Sequence, residues 1–442
     1  MAHSYPADLA EVVLRTWHDG SSLTDEYCEA VHDHDALPAP DVLETILSTS
    51  YQASLLREEE RPVCFRLIVA NAASFPAPGG PPHGLHRLLF DEPRPLSHHE
   101  LRRLAPAVDF HRALIGAQIE PRDGLMLWGM ITTGPRWVQA MYGGRQRFQR
   151  LPANLVVRVT APGRVAVCKG LVTLATLVGG RIVQPTLDVF DSTWLPATFA
   201  GWRDELRAQH REARERASTP WTELDPDVTR LIVQHSVRSV IGLMRSSHHG
   251  GTILFLPPEG DGSIEKLDGR VGPKYAFASE EPSRRFRTLI VALINALAAA
   301  QQTDPDGRKV GWEEYVSSTS SDVAQIDEAI FELAHQVAGL AAVDGAVVLN
   351  KQFELLGFGA EIGGDLPVVH SVARALDAEG TSKVRESVER NGTRHRSVYR
   401  LCNFVHNALA IVVSQDGTVR FVKWHEGEVT YWDHVSTSVL DV

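Results

Sequence analysis

Cysteine is scarce in this chain of 442 residues, with only Cys28, Cys64, Cys168 and Cys402 present. They stand far apart and form no CxxC pair, so neither a disulfide framework nor a thiolate zinc site is indicated, and they read as reduced, mostly buried thiols. Long apolar runs are lacking too. The longest, Leu289 to Ala300, is interrupted by Asn295 and has 12 residues, short of the roughly 20 that cross a bilayer, so no membrane partner is expected. Basic charge is in deficit: 44 Lys and Arg against 55 Asp and Glu give a formal net charge of −11. Broad binding to a phosphate backbone depends on clustered cations releasing counterions, so no nucleic acid partner is expected. The segment Met1 to Leu14 carries Asp8 and Glu11 and has no basic stretch followed by an apolar one. A secretory signal is therefore not expected, and the cytoplasm is the expected location.

What the chain does contain is enough apolar material for a large core. Hydrophobic residues make up 43% and charged residues 22% of the sequence, which fits two or three folded domains. Trp202 to Arg216 is dense in both charge signs, as in an exposed helix laced with short-range ion pairs. Ser218-Thr219-Pro220 breaks it, and Asp225-Pro226 is expected to restart a helix with a capping carboxylate followed by proline. The expected organisation is an amino-terminal α+β input domain over residues 1–200, a helical connector over 201–224, and a nucleotide-binding domain over 225–442. The main boundary falls near Pro220.

In the first half, short apolar runs alternate with turn residues: Phe65 to Ala70, His86 to Phe90, Leu114 to Ile119, Leu125 to Ile131, Leu155 to Val159 and Val165 to Cys168. Ala161-Pro162-Gly163 joins the last two as a hairpin, and Ser97 to Val108 reads as a helix. The second half alternates differently. Helices are expected over Asp225 to Arg245, Ser283 to Ala300 and Asp322 to Val343, the last with Val323, Ile326, Ile330, Leu333, Val337 and Leu340 on one stripe. Strands are expected over Thr252 to Leu256, Ala346 to Leu349, Phe353 to Ile362, Leu409 to Ser414 and Thr418 to Lys423, the final pair joined by Gln415-Asp416-Gly417. The fold class is thus α/β, in the α+β sense: a carboxy-terminal mixed β-sheet flanked by helices, preceded by an α+β domain.

Two segments carry chemistry. Asp344 closes a helix-to-strand junction, followed by Gly345 and Ala346; a carboxylate beside a permissive glycine could hold Mg²⁺ or Mn²⁺ against a phosphate and a hydroxyl. The alternative is an ordinary helix-terminal turn with a solvated Asp. Gly392-Thr393-Arg394-His395-Arg396 opens a stretch of helical spacing, so its cations lie where backbone N–H groups and the macrodipole already favour anions. Two Arg forks and a Thr hydroxyl would complete a triphosphate cradle, whereas a solvated basic loop is the plain alternative. His248-His249-Gly250-Gly251 reads as a helix stop with Gly as C-cap, since neighbouring histidines point apart.

Asp344-Gly345-Ala346 and Gly392-Thr393-Arg394-His395-Arg396 together resemble the two signature motifs of the diadenylate cyclase domain. Val412-Val413-Ser414-Gln415-Asp416-Gly417 resembles the family's serine-containing strand end, with Gln415 in place of the first acidic residue and the shorter Asp416 at the second. The resemblance implies that Asp344 is catalytic, that Gly345, Ala346, Gly392, Thr393, Arg394, His395, Arg396 and Ser414 bind nucleotide, and that Asp344 and Asp416 hold Mg²⁺ or Mn²⁺. It implies ATP as partner, and a face-to-face homo-oligomer condensing two ATP into cyclic di-AMP plus pyrophosphate. The layout as a whole looks like the DACNV group of probable sensor proteins. This implies nucleotide binding more directly than turnover and leaves open a catalytically weak or inactive nucleotide-sensing domain, or an interaction protein with a vestigial pocket.

Overall fold

Alternating apolar positions in the first half build strands that share one sheet, and proline-started helices cover it. The structure, a computed structural model, describes residues 3–17, 37–75, 80, 85–122, 124–133, 153–170, 172–184, 187–247, 249–267, 269–300, 309–415 and 417–434. The chain divides between Thr186 and Leu187 into two compact units. In the first, α1 (Pro6–Thr16) and α2 (Pro40–Ser54) both open on proline, which suits a helix start because its missing N–H has no partner there anyway. Strands β1 (Phe65–Val69) and β2 (His86–Pro95) precede α3 (His98–Leu104), whose N-cap Ser97 accepts the Glu100 N–H at 3.2 Å. This α-helix is shorter than the expected Ser97 to Val108, because Pro106 lies in a following 3₁₀ turn and supplies no N–H to continue the ladder.

Strands β3 (Ala113–Glu120), β4 (Gly124–Thr132), β5 (Leu155–Ala161), β6 (Arg164–Lys169), β7 (Val172–Val178) and β8 (Arg181–Val183) complete the sheet in the order β8-β7-β6-β5-β1-β3-β4-β2. The β1–β3 pair is parallel and the others are antiparallel. The expected hairpin at Ala161-Pro162-Gly163 joins β5 to β6. Leu9 and Val13 of α1 and Leu43, Ile46 and Leu47 of α2 meet Phe65, Leu67, Val157 and Val167 in one core.

The second unit begins at Leu187. After α4 (Trp194–Thr198) comes α5 (Ala200–Arg216), the helix expected to be a connector. It belongs to the second unit, because its buried Trp202 and Leu206 give it an apolar side to pack. α6 (Val228–Ser246) starts three residues later than the Asp225-Pro226 signal suggests. Asp225 Oδ1 instead accepts the Asp227 N–H at 2.7 Å, so the carboxylate closes a turn ahead of the helix.

β9 (Gly251–Leu256), β10 (Val271–Gly272) and β11 (Tyr275–Ala276) are followed by α7 (Arg285–Ala300), α8 (Trp312–Ser317) and α9 (Ser321–Ala341). Trp202 of α5 stacks on Phe286 at 5.9 Å, and His210 is hydrogen-bonded to Asn295 at 2.7 Å. Asn295 therefore interrupts the apolar run of α7 to meet a buried histidine. On α9 the buried stripe runs through Asp327, Phe331, Ala334, Ala338 and Ala341 as well as Val323, Ile330 and Val337. Ile326, Leu333 and Leu340 are only half-buried, so the stripe is rotated from the expected one. Asp327 joins it because the Tyr315 hydroxyl of α8 donates to its carboxylate.

Then come β12 (Ala346–Asn350), β13 (Leu355–Ile362), β14 (Ser371–Ala375), β15 (Lys383–Ser387), α10 (Thr393–Phe404), β16 (Leu409–Val413), β17 (Val419–His425) and β18 (Glu428–His434). The sheet order is β10-β13-β12-β9-β16-β17-β18-β14-β15, with β11 paired to β13. Only β9–β12 and β14–β18 are parallel, so the carboxy-terminal sheet is mixed, as expected. Alternation along β9 and β12 separates the faces. Leu254, Leu256, Ala346 and Val348 pack with Val398, Leu401 and Cys402 of α10; Ile253, Phe255 and Leu349 point away from α10, toward α6, α7 and α9.

Candidate functional site

Strand register brings the two chemistry-bearing segments to one end of this sheet. Ala346 pairs with Thr252, which pairs on its other side with Val412. Asp344, Gly250 and Ser414 each lie two residues beyond those positions, so they emerge at the same edge from neighbouring strands about 4.8 Å apart. The amino terminus of α10 arrives there as well. A Cβ placed on Gly250 would lie 2.8 Å from Arg394 Nη1, 2.8 Å from the Val413 carbonyl oxygen and 3.1 Å from the Gln415 nitrogen. Gly250 also has φ +66°. Its absent side chain lets Arg394 reach the Ser414–Gln415 turn, a role in the site rather than the expected one as helix C-cap. The cap of α6 is Ser247.

Asp344 is exposed at the head of β12. Gly345 behind it has φ +110°, and a Cβ there would lie 2.5 Å from the Gly359 carbonyl carbon. Here the backbone requires glycine, so this junction is a built crossing of two strands rather than a generic turn. Lys274 approaches from β11's side: its Nζ lies 3.0 Å from Glu361 Oε1. The Glu361 hydrogen bond and charge raise its pKa above the ordinary lysine value, and the Asp344 charge adds to this. Tyr275 is 57% exposed and stacks on Phe358 at 4.7 Å, so a ring face is offered beside Gly359 and Asp344.

At the helix start, Gly392 is the N-cap, makes no side-chain cap bond, and the first turn holds no acidic residue. The N–H groups of that turn have no intrahelical acceptor, and with Arg394, Arg396 and the dipole they create a positive field. Thr393 and Arg396 are exposed, while Arg394 and His395 are half-buried. The preceding residue is anchored: Arg420 Nη1 donates to Asn391 Oδ1 at 2.9 Å, and Arg420 Nε donates to Asp433 at 2.7 Å. Ser414 is half-buried, and its N–H donates to the Thr418 carbonyl at 2.8 Å, closing the β16–β17 turn. The expected Asp416, like His248, lies outside the described residues.

Among the described residues no group of three or more His, Cys, Asp or Glu could hold a metal ion. Asp344 is the carboxylate the predicted site offers there. Mg²⁺ is commonly held by one or two carboxylates together with substrate phosphates, so this donor fits Mg²⁺ or Mn²⁺ arriving with a triphosphate better than an all-protein metal cage.

Residues 32–132 match the family described as probable sensor domain DACNV. The stretch lies in the first unit, upstream of every residue of the candidate site. No curated protein matches the chain. No helix among the described residues is long and apolar enough to cross a membrane.

Sequence reasoning passed over Lys274, Tyr275 and the partnership of Gly250 with Arg394, because only strand pairing brings them to Asp344 and α10. It also passed over Arg66 and Arg158, which are 2% and 7% exposed and face each other across β1 and β5. Arg66 donates to the Ala113 carbonyl at 3.3 Å, and Arg158 lies 3.9 Å from Cys168 Sγ. A single arginine inside each of the apolar runs Phe65–Val69 and Leu155–Ala161 was the available signal, since a buried charge is costly to place.

Proposed function

We propose that the second unit is an ATP-binding, diadenylate cyclase-like module whose occupancy is read as a signal. The observation that carries this is the convergence of Arg394 on Gly250 and the Ser414–Gln415 turn, at the amino terminus of a helix free of acidic residues in its first turn. In this reading the α10 N–H groups, Thr393, Arg394, His395, Arg396 and Ser414 hold phosphates, the Gly345–Ala346 crossing sets Asp344 at the same sheet edge, and Tyr275 offers a ring for the base. Asp344 holds Mg²⁺ or Mn²⁺, which when bound neutralises phosphate charge. The match of residues 32–132 to a probable sensor domain supports a signalling role.

A second reading, condensation of two ATP into cyclic di-AMP across a face-to-face pair of chains, is favoured by the exposure of Asp344 at the sheet rim, where a second nucleotide can approach. Calorimetry with ATP and Mn²⁺ tests the first: Arg394→Ala should weaken binding by about 1.5 to 3 kcal/mol, the range for charge-assisted hydrogen bonds, and unchanged affinity overturns the cradle. Mass spectrometry of the same mixtures tests the second. Cyclic di-AMP from the unmodified chain and none from Asp344→Asn, with binding retained, establishes turnover; nucleotide binding without product leaves the sensor.

A further inference from the structure

On the sheet face opposite α10, a cavity of about 300 Å³ lies among α6, α7, α9 and strands β9, β12 and β13. Its floor is the sheet itself, where Ile253, Phe255, Leu349, Phe353 and Leu355 are all buried. Above the floor stand Val237 and Val240 of α6, Phe286 of α7 and Leu333 of α9, each half-buried. Protein interiors leave few voids larger than a water molecule, and an apolar cavity of about 150 Å³ already stays dry and admits benzene. The cavity involves neither Asp344, Gly250 nor α10.

The chemistry of the walls selects an occupant. Among the described residues two hydroxyls line the cavity, and both donate within the chain: Ser236 Oγ to the Ile232 carbonyl at 2.9 Å, and Ser283 Oγ to the Glu280 carbonyl at 2.8 Å. The charged lining residues are Glu280 and Arg285, one of each sign, both exposed, and Arg285 pairs with Glu281 at 3.2 Å. Gln336 is exposed as well. Among the described residues, no lining side chain holds a sealed polar atom without a partner. The buried part of this space therefore offers a charged group no counter-ion, and burying an unpaired charge is strongly unfavourable. A hydrocarbon surface meets no such penalty and leaves water on entering.

We propose that this cavity is a binding site for a small, uncharged, apolar molecule, held between the sheet and helices α6, α7 and α9 by its hydrocarbon surface. A peptide segment fits these walls poorly, because its backbone N–H and C=O groups would find no partners among them. The backbone at Phe353 supports a ligand site here. Phe353 has φ +58°, where a bulky side chain is strained, and its ring lies 5.0 Å from Phe286 and 5.3 Å from Phe255 by centroids. The strained residue thus completes a group of three rings lining the cavity, and strain of this kind clusters at ligand sites.

The test is titration of the full chain with N-phenyl-1-naphthylamine, an uncharged dye that brightens in apolar surroundings, with no nucleotide present. Binding should saturate at one site per chain. Decanol should displace the dye, and decanoate, ionised at neutral pH, should do so roughly tenfold or more weakly, because its carboxylate finds no partner inside. Leu333→Trp, which sends an indole into the cavity from α9, should abolish saturable binding, whereas Leu340→Trp, half-buried on the same helix but outside the cavity, should leave it unchanged. Val240→Trp enters from α6 and carries the same expectation if Leu333→Trp does not fold. No saturable binding by the folded, unmodified chain overturns the proposal, as does decanoate competing as well as decanol. Retained binding in the folded Leu333→Trp or Val240→Trp chain, or its loss in Leu340→Trp, overturns the cavity as the site. Because ATP is absent throughout, the outcome is independent of the nucleotide reading.

Discussion

Strand β12 is bounded by two positive-φ residues that solve opposite problems. At its head Gly345 has φ +110°, and a Cβ there would press on the backbone of Gly359 at 2.5 Å. Past its tail Phe353 has φ +58°, and there a large side chain is kept although the backbone would prefer none. At the head the chain gives up a side chain so that two backbones can cross beside Asp344. At the tail it accepts strain, of order 1 to 3 kcal/mol, to set an aromatic ring among Phe199, Trp202, Phe255 and Phe286. Backbone geometry rules the first end; side-chain packing rules the second.

The strongest way to separate the ends is to remove one. A fragment beginning at Thr222 keeps Gly345, Arg394 and Ser414 but loses Trp202, Leu206 and the Asp188–Arg238 ion pair of 2.7 Å. Phe353 and Phe286 would then be uncovered. We expect that fragment to aggregate, while one beginning at Leu187 folds cooperatively by circular dichroism and urea titration. Cooperative folding from Thr222 would show that α5 is dispensable and would restore the boundary that Pro220 suggests.

That boundary shows where sequence and structure part. Charge density in Trp202 to Arg216 is a true signal of an exposed helix, yet burial of Trp202, Leu206 and His210 is decided by α7, a segment some eighty residues on. The same holds at the site. Asp344-Gly345 and the run Gly392 to Arg396 were legible because local motif and helix-start chemistry coincide, and the strands beside them were legible as short apolar runs, buried at every position; their order in the sheet was not. Lys274 and Tyr275 were not legible, since β11 is two residues long and acquires meaning only by pairing with β13. The hairpin of β14 and β15 was hidden as well: Ser371–Ala375 and Lys383–Ser387 are five residues each with charges among their apolar positions, and they are held by the pairing of β14 with β18 and by ion pairs such as Arg374–Glu386 at 2.8 Å.

Substitution at the head should be the next most damaging change. Gly345→Val places a branched Cβ against the Gly359 carbonyl carbon at a φ that β-branched residues avoid. The expected loss is about 3 kcal/mol or more, read as a lower urea midpoint. At the tail the balance is mixed: Phe353→Gly forfeits the roughly 3 to 5 kcal/mol typical of a deleted buried phenylalanine but recovers the strain. It should therefore cost about 2 kcal/mol and less than Phe255→Ala, which has no positive φ to relieve. A Phe353→Gly penalty equal to or above that of Phe255→Ala would mean that the turn stores no strain.

The smallest expected effect is also at the tail and is read through pH. Lys351, two residues before Phe353, donates to Asn407 Oδ1, and burial, with the charge of Lys423 adding to it, pushes its pKa down from 10.5 to about 8. The folded chain thus gives up this proton at a lower pH than the unfolded chain does. Below about pH 8 both forms are protonated, and the folded state carries the full cost of a partly buried ammonium. Between about 8 and 10.5 the unfolded chain binds more proton than the folded one, so this residue's contribution to stability rises with pH across that window and levels off above it. Lys351→Met removes the titrating group while keeping most of the stem. The gain in urea midpoint from pH 8 to pH 10 should accordingly be smaller in Lys351→Met than in the unmodified chain. An identical gain in both would place the ammonium in water, and the tail of β12 would then owe its character to Phe353 alone.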